Sequence, residues 1–307
     1  MINFNEEEEV FNHKFGGSER KKAFRLHDRL YMVKFPDPIR EKKNELSYMN
    51  NQFSEDIGCK IFNSVGISTQ KTFLGTYTNP EGKRKIVVAC EDFCTNGFEL
   101  MEFNKLVRMN TDIETMNPLA CSIENVIDII DHIPKISDMQ KEMFKDRFWD
   151  MFVVDAYIGN GDRHLDNWGF LTKGNIIKEA PVYDCGSSLA ALLSDERMVD
   201  NLKNAASFSS AEYNISSAYY YQGKRGFYHE IFKTPPNDLM QAVKRIVPRI
   251  SIPEVEKIIN STPELSDVRR EYLKKSLQTR YDRILLPALK KIKTKDLSPD
   301  RGRGIGR

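Results

Sequence analysis

The stretch NGDRHLDNWGF (residues 160–170), with APVYDCGSSL (180–189) downstream of it, decides how this chain is read. The first segment holds Asp162 and Asn167 at a D-x4-N spacing. The second delivers Asp184 ahead of Gly186, 17 residues after Asn167. Asp, Asn and Gly are common turn formers, so each alone says little. Their setting says more. Residues 140–158 are apolar nearly all round toward their C-terminal half, which predicts a buried helix ended by Gly159. WGFL and APVY read as short strands flanking a turn at Lys173-Gly174. A helix, a polar loop, a hairpin and D-x-G in that order supply three oxygen-bearing side chains to one place. Phosphoryl transfer asks for such a set: a carboxylate to receive the acceptor's proton, and a carboxylate and an amide oxygen for magnesium, a hard cation. The spacing points to Asp162 as base, to Asn167 and Asp184 as magnesium ligands, and to Gly186 as the tight turn that aims Asp184 inward.

Working outward toward the N-terminus, residues 22–35 read as two strands around a turn at Asp28-Arg29, stopped by Pro36-Asp37-Pro38. Lys34 on the second strand is either an edge lysine guarding the sheet or a cation facing a cleft, where it would contact phosphates and pair with a helix glutamate. The Asp162 cluster favours the cleft. Residues 41–65 carry an apolar stripe at Leu46, Met49, Phe53, Ile57 and Ile61, so a helix is expected, with Gly66 as its stop. Glu55 on that helix is the chosen partner of Lys34, and Glu45 is the rival. Gly16, Gly17 and Ser18 precede the hairpin, where backbone N–H groups of a glycine turn can approach phosphate. KIVVACEDF (85–93) contains a short continuous apolar run, which suits a buried strand. Glu91, Asp92 and Phe93 at its end are assigned to adenine by position. The lobe boundary is set there. This gives an N-lobe over 1–93, a C-lobe over 94–293 and a disordered tail over 294–307.

The rest of the chain narrows the class. Its 307 residues suit one large domain or two lobes, and a net charge of +2 neither demands nor excludes an acidic partner. No run approaches the roughly 18 apolar residues of a membrane span, and the acidic start MINFNEEEEV is unlike a signal peptide. Five cysteines with no CxxC and scattered histidines argue for free thiols rather than zinc. Asp155 is expected to bond nearby backbone, and Arg163 and His164 to brace the loop. Tyr219, Tyr220 and Tyr221 fall in a loop-like stretch. The basic segment from Arg269 to Lys295 reads as a solvated helix face rather than a nucleic-acid surface.

These strings, with FGGS (15–18), YMVKF (31–35), Ser54-Glu55, VVACEDF (87–93) and FWDMFVVDAYIGN (148–160), resemble the HipA-like serine/threonine kinases of bacteria. The resemblance implies an α+β, two-lobed protein-kinase-like fold with a small β-rich N-lobe and a larger, mainly helical C-lobe. It implies ATP and Mg2+, a protein serine or threonine as acceptor, a toxin or effector role, an antitoxin-type partner, and a cytoplasmic location with secretion or translocation into a host cell as a further route. Carried over, Asp162 is the base, Asn167 and Asp184 hold metal, Lys34 binds phosphate and Glu55 pairs with it. There are departures. DCG stands where other kinases have DFG, no APE follows, and Ser18 is an autophosphorylation candidate only by its nearness to the glycine turn. HipA toxins also carry a further N-terminal subdomain, whereas this chain starts close to its glycine turn. The GDRHxxN loop also resembles phosphatidylinositol kinases, which keeps a lipid or small-molecule acceptor open. A pseudokinase that only binds nucleotide is disfavoured because Asp162, Asn167, Asp184 and Lys34 are all present.

Overall fold

Apolar and polar residues alternate along the strands of the first hairpin, and that alternation builds the smaller lobe. The structure, a computed structural model, describes residues 1–11, 20–36, 50–110 and 121–296. Two short strands, β1 (Ile2–Asn3) and β2 (Glu8–Glu9), precede the hairpin β3 (Lys21–Leu26) and β4 (Arg29–Lys34). Helix α1 (Asn51–Ser64) follows, then β5 (Thr72–Thr78) and β6 (Arg84–Glu91). The six strands form one sheet in the order β1-β5-β6-β4-β3-β2, antiparallel except for β1 against β5. On one face Tyr31 and Val33 pack with Phe4, Phe24, Phe35, Val87 and Ala89. Val88 and Cys90 alternate onto the other face and join the larger core with α1. β6 is thus buried on both faces, as its apolar run requires.

The hairpin turn is His27-Asp28, one residue before the expected place, because Leu26 pairs with Arg29. Both turn residues have positive φ (46° and 62°), the two-residue geometry whose twist matches that of the strands. β4 lies inside the sheet between β6 and β3, so Lys34 is not an edge guard. The described part of the predicted 41–65 helix is α1. It ends at Ser64 with Val65 as its C-cap, and Gly66 is left-handed after it (φ 84°). Leu46, Met49 and Glu45 lie outside the described residues.

The larger lobe begins with β7 (Glu99–Glu102), α2 (Phe103–Asn110), α3 (Ile123–Asp131) and α4 (Asp138–Ile158). It continues through β8 (Gly169–Lys173), β9 (Ile176–Glu179), α5 (Asp195–Lys203), α6 (Ala205–Tyr213), β10 (Ser216–Tyr221) and β11 (Lys224–Phe227). Helices α7 (Tyr228–Lys233), α8 (Asn237–Ile246), α9 (Ile252–Ser261), α10 (Asp267–Arg280) and α11 (Leu286–Asp296) complete it. α11 runs past the expected start of the tail at 294. Helix α4 is the axis of this lobe. Ser137 caps it and Gln140 reaches back to close a capping box. Every residue from Met151 to Ile158 is buried, and Gly159 ends the helix left-handed (φ 69°).

Three local expectations need correction. The hairpin after the polar loop is β8–β9, and it turns at Gly174-Asn175. APVY is not one of its strands; Val182 instead makes a lone parallel bridge to Thr69, tying the two lobes together. Tyr219–Tyr221 belong to β10, not a loop, and Tyr219 packs edge-on against Phe148 of α4. The alternation there was masked by three tyrosines in a row, which are apolar or polar according to the face they meet.

Candidate active site

The loop that leaves α4 is shaped from beneath by one buried ion pair. Asp155, on the last turn of α4, and Arg163, in the loop, are each 1% exposed. Arg163 grips the carboxylate with Nε (2.9 Å to Oδ2) and Nη2 (3.2 Å to Oδ1). Nη1 donates to the Asn167 carbonyl at 2.8 Å and to the Tyr183 carbonyl, and Nη2 also reaches Cys185 Sγ at 3.4 Å. All five guanidinium donors are therefore engaged. Asp155 also accepts from Asn160 Nδ2 at 2.9 Å, so its partners are side chains rather than the expected backbone. Burial pushes the Asp155 carboxyl above its usual range even against the pull of Arg163 and Asn160. Arg163 braces the loop as foreseen and does more. By bonding both Asn167 and Tyr183 it holds the loop beside the segment that carries Asp184.

The loop itself is internally tied. Asn167 Nδ2 donates to the Asp162 carbonyl at 2.8 Å, which leaves Oδ1 as the acceptor end of that amide. The Asn160 side chain accepts from the Asp162 amide at 3.1 Å. The Asp162 side chain is exposed, and Ser187 Oγ donates to its Oδ2 at 3.1 Å. Nothing in the sequence argument foresaw Ser187 at this position; its one signal was that it directly follows DCG.

The third part comes from the smaller lobe. Lys34 is 6% exposed and Glu55 1%. Lys34 Nζ stands 3.1 Å from Asp184 Oδ1 and 3.6 Å from Glu55 Oε2, so it hydrogen-bonds the first and pairs with the second across a longer gap. Glu55 Oε1 accepts from the Asp184 backbone N–H at 3.0 Å. One helix carboxylate thus orients both the strand lysine and the loop aspartate. Burial raises the Asp184 carboxyl, but the Lys34 charge and hydrogen bond outweigh it and hold the group below the usual range. The left-handed residue is Asp184 itself (φ 60°), not Gly186. Gly186 lies in the expected turn, closed by the Ser188 amide on the Cys185 carbonyl at 3.1 Å, and a Cβ there would also stand 3.3 Å from Glu55 Oε2. Gly58 on α1 meets the same segment more closely, with a Cβ placed 2.6 Å from Cys185 Cβ. The missing side chains of Gly186 and Gly58 thus let DCG and α1 pack closely.

At the junction of the lobes, the Glu91 and Asp92 amides donate to the Lys71 and Leu30 carbonyls at 2.9 and 2.8 Å. Gln70 Nε2 donates to the Glu91 carbonyl at 3.0 Å. The Phe93 ring lies 5.7 Å from that of Tyr183, the residue before Asp184. Gly16, Gly17 and Ser18 lie outside the described residues. Among the described residues no group of three or more His, Cys, Asp or Glu is placed to hold a metal, and no helix is long and apolar enough to cross a membrane.

Comparison with known proteins places the chain in a family. Residues 13–251 match the model of the HipA-like C-terminal domain family. The serine/threonine-protein kinase CtkA of Helicobacter pylori is 36% identical over 278 residues, covering 88% of this chain and 82% of that protein. The crystal structure of the H. pylori proinflammatory kinase CtkA superposes with a TM-score of 0.86 at 36% identity, over 97% of this chain and 99% of that one. HipA from the Shewanella oneidensis HipA–HipB–operator DNA complex reaches a TM-score of 0.53 at 15% identity, over 92% of this chain and 67% of that one, a likeness of fold alone.

Proposed function

The chain belongs to the HipA-like C-terminal domain family, and from that premise we propose that it is an ATP- and magnesium-dependent serine/threonine protein kinase. The observation that carries this is Lys34 between Glu55 and Asp184, at 3.6 and 3.1 Å, beside a loop that holds Asp162 and Asn167. Lys34 is a compact cation held by two carboxylates and directed at the place where phosphates would lie. Asp162, exposed at the mouth of the loop, takes the proton of an acceptor hydroxyl. The protein's share of the chemistry is placement and charge, as phosphoryl transfer requires.

The residues present fit a magnesium nucleotide. Asn167 Oδ1 is the free end of an oriented amide, and Asp184 is kept anionic by Lys34. Two protein oxygens suit magnesium, which keeps water and phosphate as its other ligands. Bound there, the metal supplies neutralisation of phosphate charge. At the lobe junction, the Glu91 and Asp92 amides already bond Lys71 and Leu30, so adenine would draw on the Phe93 amide and the carbonyls of this stretch. The glycine turn at 16–18 would cover the phosphates. An antitoxin-type partner stays a proposal that rests on the family resemblance.

The test is labelled ATP with magnesium, offered together with a general protein acceptor, inositol-lipid vesicles and the protein alone. Label on protein serine or threonine supports the reading. Label confined to lipid or to a small molecule replaces it with the runner-up. Binding of ATP with no transfer to anything makes the chain a nucleotide-binding module.

A further inference from the structure

We propose that Arg225 is a specificity-determining residue: it receives an acidic side chain that flanks the acceptor serine or threonine. The inference rests on the kinase reading above and deepens it by naming the class of acceptor sequence the site takes. It starts from an imbalance of charge beside the base. Arg163 is spent on Asp155, and Lys34 on Glu55 and Asp184. His164 faces Asp166 at 3.5 Å, and Lys224 pairs with Glu230 at 3.2 Å. Arg225 differs from these four. It is exposed, and among the described residues it has no carboxylate partner.

The guanidinium is held by backbone instead of by charge. Its Nε donates to the Ser217 carbonyl at 3.1 Å, and Nη2 reaches the Gly161 carbonyl at 3.5 Å. Gly161 directly precedes Asp162, so the guanidinium stands one peptide unit from the base. The pairing of β10 with β11 is irregular between Ser216 and Tyr220. The buried Ser217 hydroxyl pins this irregularity, accepting from the Tyr219 amide at 3.2 Å and donating to the Gly226 carbonyl at 3.1 Å. Bulges next to active sites re-aim side chains, and this one brings the Ser217 carbonyl to Arg225. The hairpin is also tied to the catalytic loop. Tyr228, directly after β11, donates to the Asn160 carbonyl at 2.6 Å, and a Cβ on Gly161 would stand 3.0 Å from the Ser216 carbonyl oxygen.

Of the five guanidinium N–H groups, both on Nη1 and one on Nη2 stay open. Open donors on a planar, fixed guanidinium suit a carboxylate, which accepts charge-assisted bonds from such a fork. An extended acceptor chain rises about 3.3 Å per residue, so a group this close to the base meets a side chain within a few residues of the reacting hydroxyl. Lys34, Asp184 and Asn167 serve the nucleotide from beyond Asp162, whereas Arg225 stands where the chain leads into it. Its charge is therefore offered to the acceptor, not to the triphosphate.

Full-length protein, wild type and Arg225 variants, is given magnesium ATP and a peptide library. Serine or threonine is fixed at the centre, and Asp, Asn or Lys is placed at each flanking position in turn. Wild type is expected to favour Asp over Asn at one flanking position about fivefold in kcat/KM, the size of an exposed ion pair, and to do so through the peptide KM. The preference should weaken as salt is raised. Arg225→Gln should lose it, Arg225→Lys should keep part of it, and Arg225→Glu should turn it toward Lys at the same position. Equal preference in wild type and Arg225→Gln overturns the inference. So does a fall in kcat shared alike by Asp, Asn and Lys peptides, which would make Arg225 a brace of the loop. Phosphate on a protein acceptor with none on any peptide also overturns it and leaves the kinase reading standing. Phosphate on nothing at all brings down both.

Discussion

Two buried charge clusters sit a few residues apart in this molecule and are built in opposite ways. In the floor of the larger lobe, Asp155 and Arg163 form a closed knot, with both carboxylate oxygens bonded and all five guanidinium donors used. Across the cleft, Lys34 meets two carboxylates, Asp184 at 3.1 Å and Glu55 at 3.6 Å. The knot is closed off inside the larger lobe, with both side chains 1% exposed, which suits a part that fixes geometry. The Lys34 cluster joins the two lobes and includes Asp184, whose side chain is 28% exposed, which suits a part that binds. A buried charge by itself does not separate structural from functional; access of its partners to the cleft does.

That contrast can be broken experimentally, starting from the knot. Arg163→Met removes one partner of a fully buried pair and strands Asp155, which should cost about 3–5 kcal/mol of stability. Urea unfolding checks this, and a cost within error would mean the knot is not structural. Lys34→Met attacks the other cluster. It should lower transfer by about 10²–10³, the loss usual for one preorganised charge, and raise the KM for ATP while shifting the urea midpoint less than Arg163→Met does. If it unfolds the protein instead, the two clusters are not different in kind.

Gly58→Ala probes the contact that holds DCG against α1. Its new Cβ would stand 2.6 Å from Cys185 Cβ, and overpacking of this kind costs about 1–3 kcal/mol. Cys185→Ala should not rescue it, because the clash is with Cβ, whereas Cys185→Gly should. Full rescue by Cys185→Ala would show that the sulfur, not the backbone approach, sets the spacing. The smallest effect concerns pH. Asp184 has a folded-state pKa below its unfolded value, so its contribution is present above about pH 3.9, the ordinary aspartate value, and is lost as pH falls through the folded pKa. The advantage of wild type over Asp184→Asn in urea should thus be flat from neutral pH to that point and shrink below it. An advantage that fades near neutrality would contradict the Lys34 pairing.

Much of this was legible in the residues, for definable reasons. Helix α4 announced itself through its apolar C-terminal half and Gly159, and the loop after it through D-x4-N. Lys34 and Glu55 come together because strand and helix periodicities aim them at one cleft. What stayed hidden depended on contacts between distant segments. That Gly186 stands against Glu55, that Asp155 seeks Arg163, and that β9 is IIKE rather than APVY all follow from tertiary pairing. Arg269 and Arg280, expected on a solvated face, are instead buried, at 4% and 3% exposure, where their donors hold carbonyls of neighbouring segments. A basic run cannot say which of its members turn inward. Ser187 was invisible for the same reason, since its meaning lies in a carboxylate 25 residues away.

The most direct test of the account separates binding from transfer at Asp162. ATP binding is measured by calorimetry with magnesium present, and phosphate transfer to a protein acceptor is followed with labelled ATP, for wild type and Asp162→Asn side by side. The account predicts nearly equal ATP affinities and a fall in transfer of about 10²–10⁴, the usual contribution of a positioned general base. Transfer by Asp162→Asn at close to the wild-type rate would contradict it.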